Sequence, residues 1–278
     1  TAGLPACLAA LNESGWGEAA QGIMTTDTVP KGASRRLTLD GKTVTVTGIA
    51  KGAGMIRPDM ATMLAFVATD AVVSASALQA CLNAAVNMSF NRITVDGDTS
   101  TNDACLLLAT GKAGNGEIRD ASGDAYAALA RAVAEVCAGL AQAIVRDAEG
   151  ITKFITLEVR GGASESDCLE VAYTIAHSPL VKTAFFASDP NWGRILAAVG
   201  RAPIARLDVG KVSIHLEDVC VVRNGGVAAD YTETAGRDVM RRSEIRVCVD
   251  LGAGNAGATV WTSDLSHDYV RINAEYRT

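Results

Sequence analysis

The stretch Leu37-Thr38-Leu39-Asp40-Gly41-Lys42-Thr43-Val44-Thr45-Val46 alternates apolar and polar residues on both sides of an Asp-Gly pair. Alternation at period two lines one face of a strand, and Asp-Gly suits the two-residue turn that joins antiparallel strands, so the stretch predicts a hairpin. Antiparallel pairing decides the fold class. Strand patterns at Met63–Ala68, Ala104–Ala109, Thr152–Arg160, Val181–Ala187, Val212–Leu216, Val219–Val222, Ile245–Val249 and Ala258–Thr262 are interleaved with helical ones. Asn224-Gly225 reads as the turn joining the middle pair of the last four strands. Mixed elements with several hairpins favour an α+β layered sandwich with largely antiparallel sheets over a doubly wound parallel sheet.

The helical signals are an opening pattern at Leu4, Leu8 and Leu11, a helix capped by Ser74, a segment after Ser166, and a long helix over Asp124–Arg146. In that long helix Leu129, Val133, Val136, Leu140 and Ile144 form one stripe, which predicts packing on a sheet. Composition turns to Gly, Ala and Ser over 161–166, a conceivable subdivision.

With 278 residues, 49% of them hydrophobic, the chain can bury a sizeable core. A net charge of -6 argues against a nucleic-acid binder and for small-molecule chemistry. Seven cysteines without Cys-x-x-Cys spacing and three isolated histidines read as reduced core thiols rather than a disulfide framework or zinc site. No run of about 18 apolar residues and no signal-type N-terminus is present, so a cytosolic, unanchored protein is expected. The opening at Thr1 without a methionine reads as a processed product or a fragment.

The segment Lys51-Gly52-Ala53-Gly54-Met55-Ile56-Arg57-Pro58-Asp59-Met60-Ala61-Thr62-Met63-Leu64 places a threonine where a glycine-rich loop enters a strand. Thr62 could simply be a β-branched residue starting that strand. The chemical alternative is self-cleavage: the hydroxyl attacks the Ala61 carbonyl, and hydrolysis of the resulting ester frees Thr62 with its own α-amine. An amine of that kind titrates near about 8, so it can serve as base for the hydroxyl without a histidine. The aspartates of the 96–103 run (Asp96, Asp98 and Asp103) lack the spacing of a calcium loop, which favours loop capping over metal binding.

At this segment the chain resembles the ornithine acetyltransferases, also called glutamate N-acetyltransferases. The likeness runs through Ile23–Thr28, Lys51–Leu64, Val95–Asp103, Asp147–Gly150, Ser188–Arg194 and Tyr269–Thr278, in order along the whole chain. It implies an ArgJ-like α+β sandwich, cleavage at Ala61-Thr62, and Thr62 as the acetyl-accepting nucleophile. Residues 1–61 would then be the C-terminal part of an α chain, and 62–278 a β chain beginning at the nucleophile. Thr25, Lys51, Thr62, Glu149, Asn273 and Thr278 match substrate-pocket positions. The resemblance further implies N-acetylornithine and glutamate as substrates, acetyl-CoA as a second donor in some members, no metal or bound cofactor, no nucleic-acid or membrane partner, and a heterotetramer of two α and two β chains.

Each pocket residue also has a plain structural reading: Lys51 as a solvated charge, Glu149 as an exposed helix end, Asn273 and Thr278 as a fraying tail. The family's oxyanion hole, a Thr-Gly pair upstream of the first motif, has no counterpart in this sequence. Two rivals therefore accompany the transferase reading, an aminopeptidase-like hydrolase with the same type of nucleophile and a truncated or uncleaved chain without activity.

Overall fold

The computed structural model describes residues 3–57, 63–99, 102–205 and 207–275. They form two compact units, one from 3–52, 63–90 and 102–144, the other from 53–57, 91–99, 145–205 and 207–275.

In the first unit two short helices, α1 (Leu4–Ala9) and α2 (Trp16–Gly22), precede β1 (Lys31–Leu39) and β2 (Lys42–Lys51). These strands are the expected hairpin, closed at Leu39↔Lys42, with Asp40 and Gly41 both at positive φ as a type I′ turn demands. Next come β3 (Leu64–Thr69), α3 (Ala75–Asn87) and β4 (Ala104–Ala109). The Ser74 hydroxyl caps α3 by accepting from the Ala77 amide at 3.2 Å. The sheet runs β1-β2-β3-β4, antiparallel except for the β3–β4 pair.

The long helix α4 (Gly123–Arg146) belongs to this unit through Ile144. Its stripe Leu129, Val133, Val136, Leu140 and Ile144 is entirely buried. It meets the sheet at Gly48 of β2, where an added Cβ would stand 3.1 Å from Leu140 and 3.2 Å from Val136. Each such fully buried aliphatic side chain contributes about 1.5–3 kcal/mol relative to exposure. By length and composition alone α4 could also cross a membrane, but half of its apolar window is buried inside the protein.

The second unit opens with β5 (Phe154–Gly162), α5 (Glu165–Ala176), α6 (Pro179–Phe186) and α7 (Trp192–Gly200). It continues with β6 (Ser213–Leu216), β7 (Val219–Arg223), β8 (Gly226–Val227), α8 (Glu233–Met240), β9 (Glu244–Asp250), β10 (Ala256–Ser263) and α9 (His267–Glu275). The sheet order is β10-β5-β9-β6-β7-β8, with β5–β9 its one parallel pair. Leu157, Val159, Ile175, Phe185, Val199, Ile214, Val247 and Val260 share its core. Helices and mixed, mainly antiparallel sheets are the α+β class that the hairpin predicts.

Several local expectations need correction. Residues 181–187 are not a strand: Pro179 starts α6, and Val181, Ala184 and Phe185 bury one helical face. The Ser188–Arg194 turn therefore joins two helices, with Asn191 capping α7 through the Arg194 amide. Asn224 and Gly225 link β7 to the short β8, while β9 pairs with β5 and β6. Leu4, Leu8 and Leu11 are exposed in and just after α1 rather than packed. All seven cysteines are free, but Cys7 is exposed and not a core thiol.

Candidate active site

The sequence-nominated residues that are described fall into two clusters, one in each unit. In the first, Lys51 ends β2 and is 7% exposed. Its ammonium donates to the Thr25 hydroxyl at 3.5 Å, and among the described residues no carboxylate lies within ion-pair distance of it. The geometry is held from below by Asp27. That carboxylate accepts from the Lys31 ammonium at 2.5 Å, the Gly52 amide at 2.7 Å and the Thr25 amide at 3.1 Å. Burial alone would raise the Asp27 carboxyl, but the Gly52 amide, the Lys31 ammonium and the Thr25 amide together hold it below its ordinary value. One buried anion thus joins the Ile23–Thr28 turn to the end of β2.

Asp103, just before β4, accepts the Met63 amide at 2.6 Å. Burial pushes its carboxyl up to about 6, against the pull of that amide and of the Lys51 ammonium. A cleft of about 670 Å³ elsewhere in this unit is lined by Leu11, Trp16, Ile23, Ile49 and Phe66, and contains none of the nominated residues.

In the second cluster, Glu149 lies three residues beyond the end of α4, so it is not the helix-terminal residue expected. Its amide donates to the Ala53 carbonyl at 3.0 Å, and its carboxylate accepts from the Asn273 side-chain amide at 2.9 Å. Asn273 is no fraying tail: it sits in α9, where its amide also donates to the Tyr269 carbonyl. Gly54 is pressed against the Glu149 carboxylate; a Cβ there would stand 2.4 Å from Oε2. Only glycine leaves that space.

Asp96 secures the adjoining loop by accepting from the Met55 amide at 2.7 Å, the Ile56 amide at 3.0 Å, the Asp98 amide at 3.2 Å and the Tyr269 hydroxyl at 3.3 Å. Burial first, and then Asp96, keep that hydroxyl protonated and donating. In the same unit His177 bonds the Thr94 hydroxyl at 3.1 Å and stacks on Tyr173. Burial, with help from Arg57 and Lys182, drops its pKa to about 4, so the ring is neutral at physiological pH.

Of the nominated residues, Thr25 is thus brought to Lys51, and Asn273 to Glu149. Ala61, Thr62 and Thr278 lie outside the described residues. Asp27, Gly54, Tyr269 and the individual roles of Asp96 and Asp103 were not nominated. The spacing of the 96–103 run signalled capping, but the Met55 and Met63 amides that Asp96 and Asp103 cap lie about forty residues away in the chain. Among the described residues no group of three His, Cys, Asp or Glu is arranged to hold a metal ion.

Comparison with known proteins bears on the whole chain. The family model described as the ArgJ family matches residues 1–278. A protein of Pseudomonas fluorescens named "Arginine biosynthesis bifunctional protein ArgJ" is 61% identical over 275 residues, covering 99% of this chain and 68% of that protein. One of the same name from Pseudomonas syringae pv. tomato is 59% identical over the same spans. The crystal structure of an arginine biosynthesis bifunctional protein argJ from Bacillus halodurans superposes with a TM-score of 0.72 at 38% identity, covering 76% of this chain and 98% of that one.

Proposed function

The chain belongs to the ArgJ family, and we propose that it is an acetyltransferase of arginine biosynthesis which moves an acetyl group from N2-acetyl-L-ornithine to L-glutamate. In this reading the bond between Ala61 and Thr62 cleaves itself, and Thr62 becomes an N-terminal nucleophile. Its α-amine takes the hydroxyl proton as the oxygen attacks the acetyl carbonyl. The tetrahedral intermediate collapses, the proton passes to the departing nitrogen, and ornithine leaves an acetyl-threonine ester. The amine of glutamate then attacks the ester and restores the hydroxyl. Two half-reactions on one oxygen make this ping-pong chemistry.

The observation that supports the reading most is the Lys51 ammonium. A buried cation whose described hydrogen-bond contact is one long bond to a hydroxyl suits an anionic ligand, and both substrates carry an α-carboxylate. Thr25 and Asn273 supply neutral donors, and Glu149 supplies an anion for the free side-chain ammonium of acetylornithine. Thr278 is proposed to belong to the substrate-binding set as well. Acetyl-CoA as a second donor, an α2β2 assembly and a cytosolic site belong to the same proposal.

Incubation of the protein with acetylornithine and isotope-labelled glutamate tests it. Labelled acetylglutamate is the expected product. Release of acetate with no need for glutamate would identify a hydrolase instead.

A further inference from the structure

We propose that Asp103 is a positioning residue for acetyl transfer, fixing the one peptide group through which Thr62 remains attached to the protein. The inference rests on the reading of Thr62 as a nucleophile freed by cleavage. Once the Ala61-Thr62 bond is cut, Thr62 keeps a single covalent tie, its peptide bond to Met63. The N–H of that bond is the Met63 amide, which donates to Asp103 Oδ1 at 2.6 Å. The Met63 carbonyl in turn accepts from the Ala104 amide at 3.1 Å. Residues 103 and 104 therefore hold both sides of Met63.

The ladder between β3 and β4 begins only at Leu64↔Ala104. At Met63, one residue before that ladder, the N–H donates to the Asp103 side chain. Without it, the peptide plane carrying Thr62 is free to turn about its neighbouring bonds. A nucleophilic oxygen one residue away moves with that plane, and a misplacement of about 1 Å can cost about 10²-fold in rate. The strand-capping role alone would explain a loss of stability. It would not explain a loss confined to turnover.

An asparagine offers the same acceptor oxygen without the charge, whereas alanine removes it. The test compares wild type, Asp103→Asn and Asp103→Ala in the full protein. Intact mass under denaturing conditions gives the cleaved fraction, and kcat is expressed per cleaved molecule. The alanine variant is expected to lose about 10²-fold in kcat with KM within about threefold of wild type, while the asparagine variant keeps kcat within about threefold. An alanine variant with wild-type kcat overturns the inference, as does an asparagine variant as slow as alanine. If alanine prevents folding, Asp103→Glu carries the test, because it keeps the charge but moves the acceptor by one methylene; slowed kcat at unchanged KM supports the inference and wild-type kcat overturns it. A wild-type protein that transfers nothing to glutamate overturns the reading of Thr62 itself and this inference with it, so the two failures are distinguishable.

Discussion

The two units present their polar clusters in opposite ways. In the first, a fully buried Asp27–Lys31 pair supports a second lysine, Lys51, whose ammonium has only a long contact with Thr25 among the described residues. In the second, the carboxylates of Asp96 and Glu149 are surrounded by amides and a hydroxyl, and no cation lies within ion-pair distance of either among the described residues. One cluster offers positive charge and the other negative. Each sign is held by its own scaffold, with desolvation offset by hydrogen bonds to backbone and side chains.

Substitution at the two clusters should break that comparison cleanly. Lys51→Met is expected to raise KM for both acetylornithine and glutamate by about 10- to 10²-fold each, the loss of one charge-assisted hydrogen bond of about 1.5–3 kcal/mol. Glu149→Gln should raise KM for acetylornithine alone by a similar factor, since glutamate has no side-chain ammonium to pair with it. Gly54→Ala should resemble a weaker Glu149→Gln, because the new methyl displaces the carboxylate without removing it. Steady-state kinetics with each substrate varied in turn separates these outcomes. Equal effects of Glu149→Gln on both substrates would show that the clusters do not divide the work by charge.

A smaller effect appears in the pH dependence of stability, where the two units carry opposite signs. The Asp103 carboxyl is raised to about 6, so the folded state holds its proton more tightly than the unfolded chain. Its contribution therefore weakens as pH rises from about 4 to about 6. His177 is lowered to about 4, so the unfolded chain binds that proton more tightly. Stability from it is lost as pH falls from about 6.5 to about 4. Denaturant titrations across this range should show Asp103→Asn removing the first dependence and His177→Gln the second.

Much of the fold is written in local patterns. The Asp40-Gly41 turn, the Ser74 cap and the α4 stripe each depend on residues within a few positions of one another, and each is found where its chemistry predicts. Residues 181–187 misled because a short apolar run has no period long enough to tell a buried helix from a strand; Ser178 and Pro179 just upstream were the missed start signal. The short β8 offered only two residues to read. The candidate site residues came from family resemblance rather than from pattern. Thr25 meets Lys51, Glu149 meets Asn273, and Asp96 meets Met55 across tens of residues, and such contacts leave no periodicity in the chain. Asp27 was quoted within a motif, yet its role emerges only when three donors converge on one buried carboxylate.

The claim on which the account turns is that Thr62, released from Ala61, carries the acetyl group. Denaturing mass spectrometry of the protein mixed with acetylornithine and no glutamate tests this directly. Two fragments meeting at Thr62 are expected, with one added acetyl group on the fragment that begins there, and neither cut nor acetyl group in Thr62→Ala. An uncut chain that still transfers acetyl to glutamate, or an acetyl group that persists in Thr62→Ala, would contradict it.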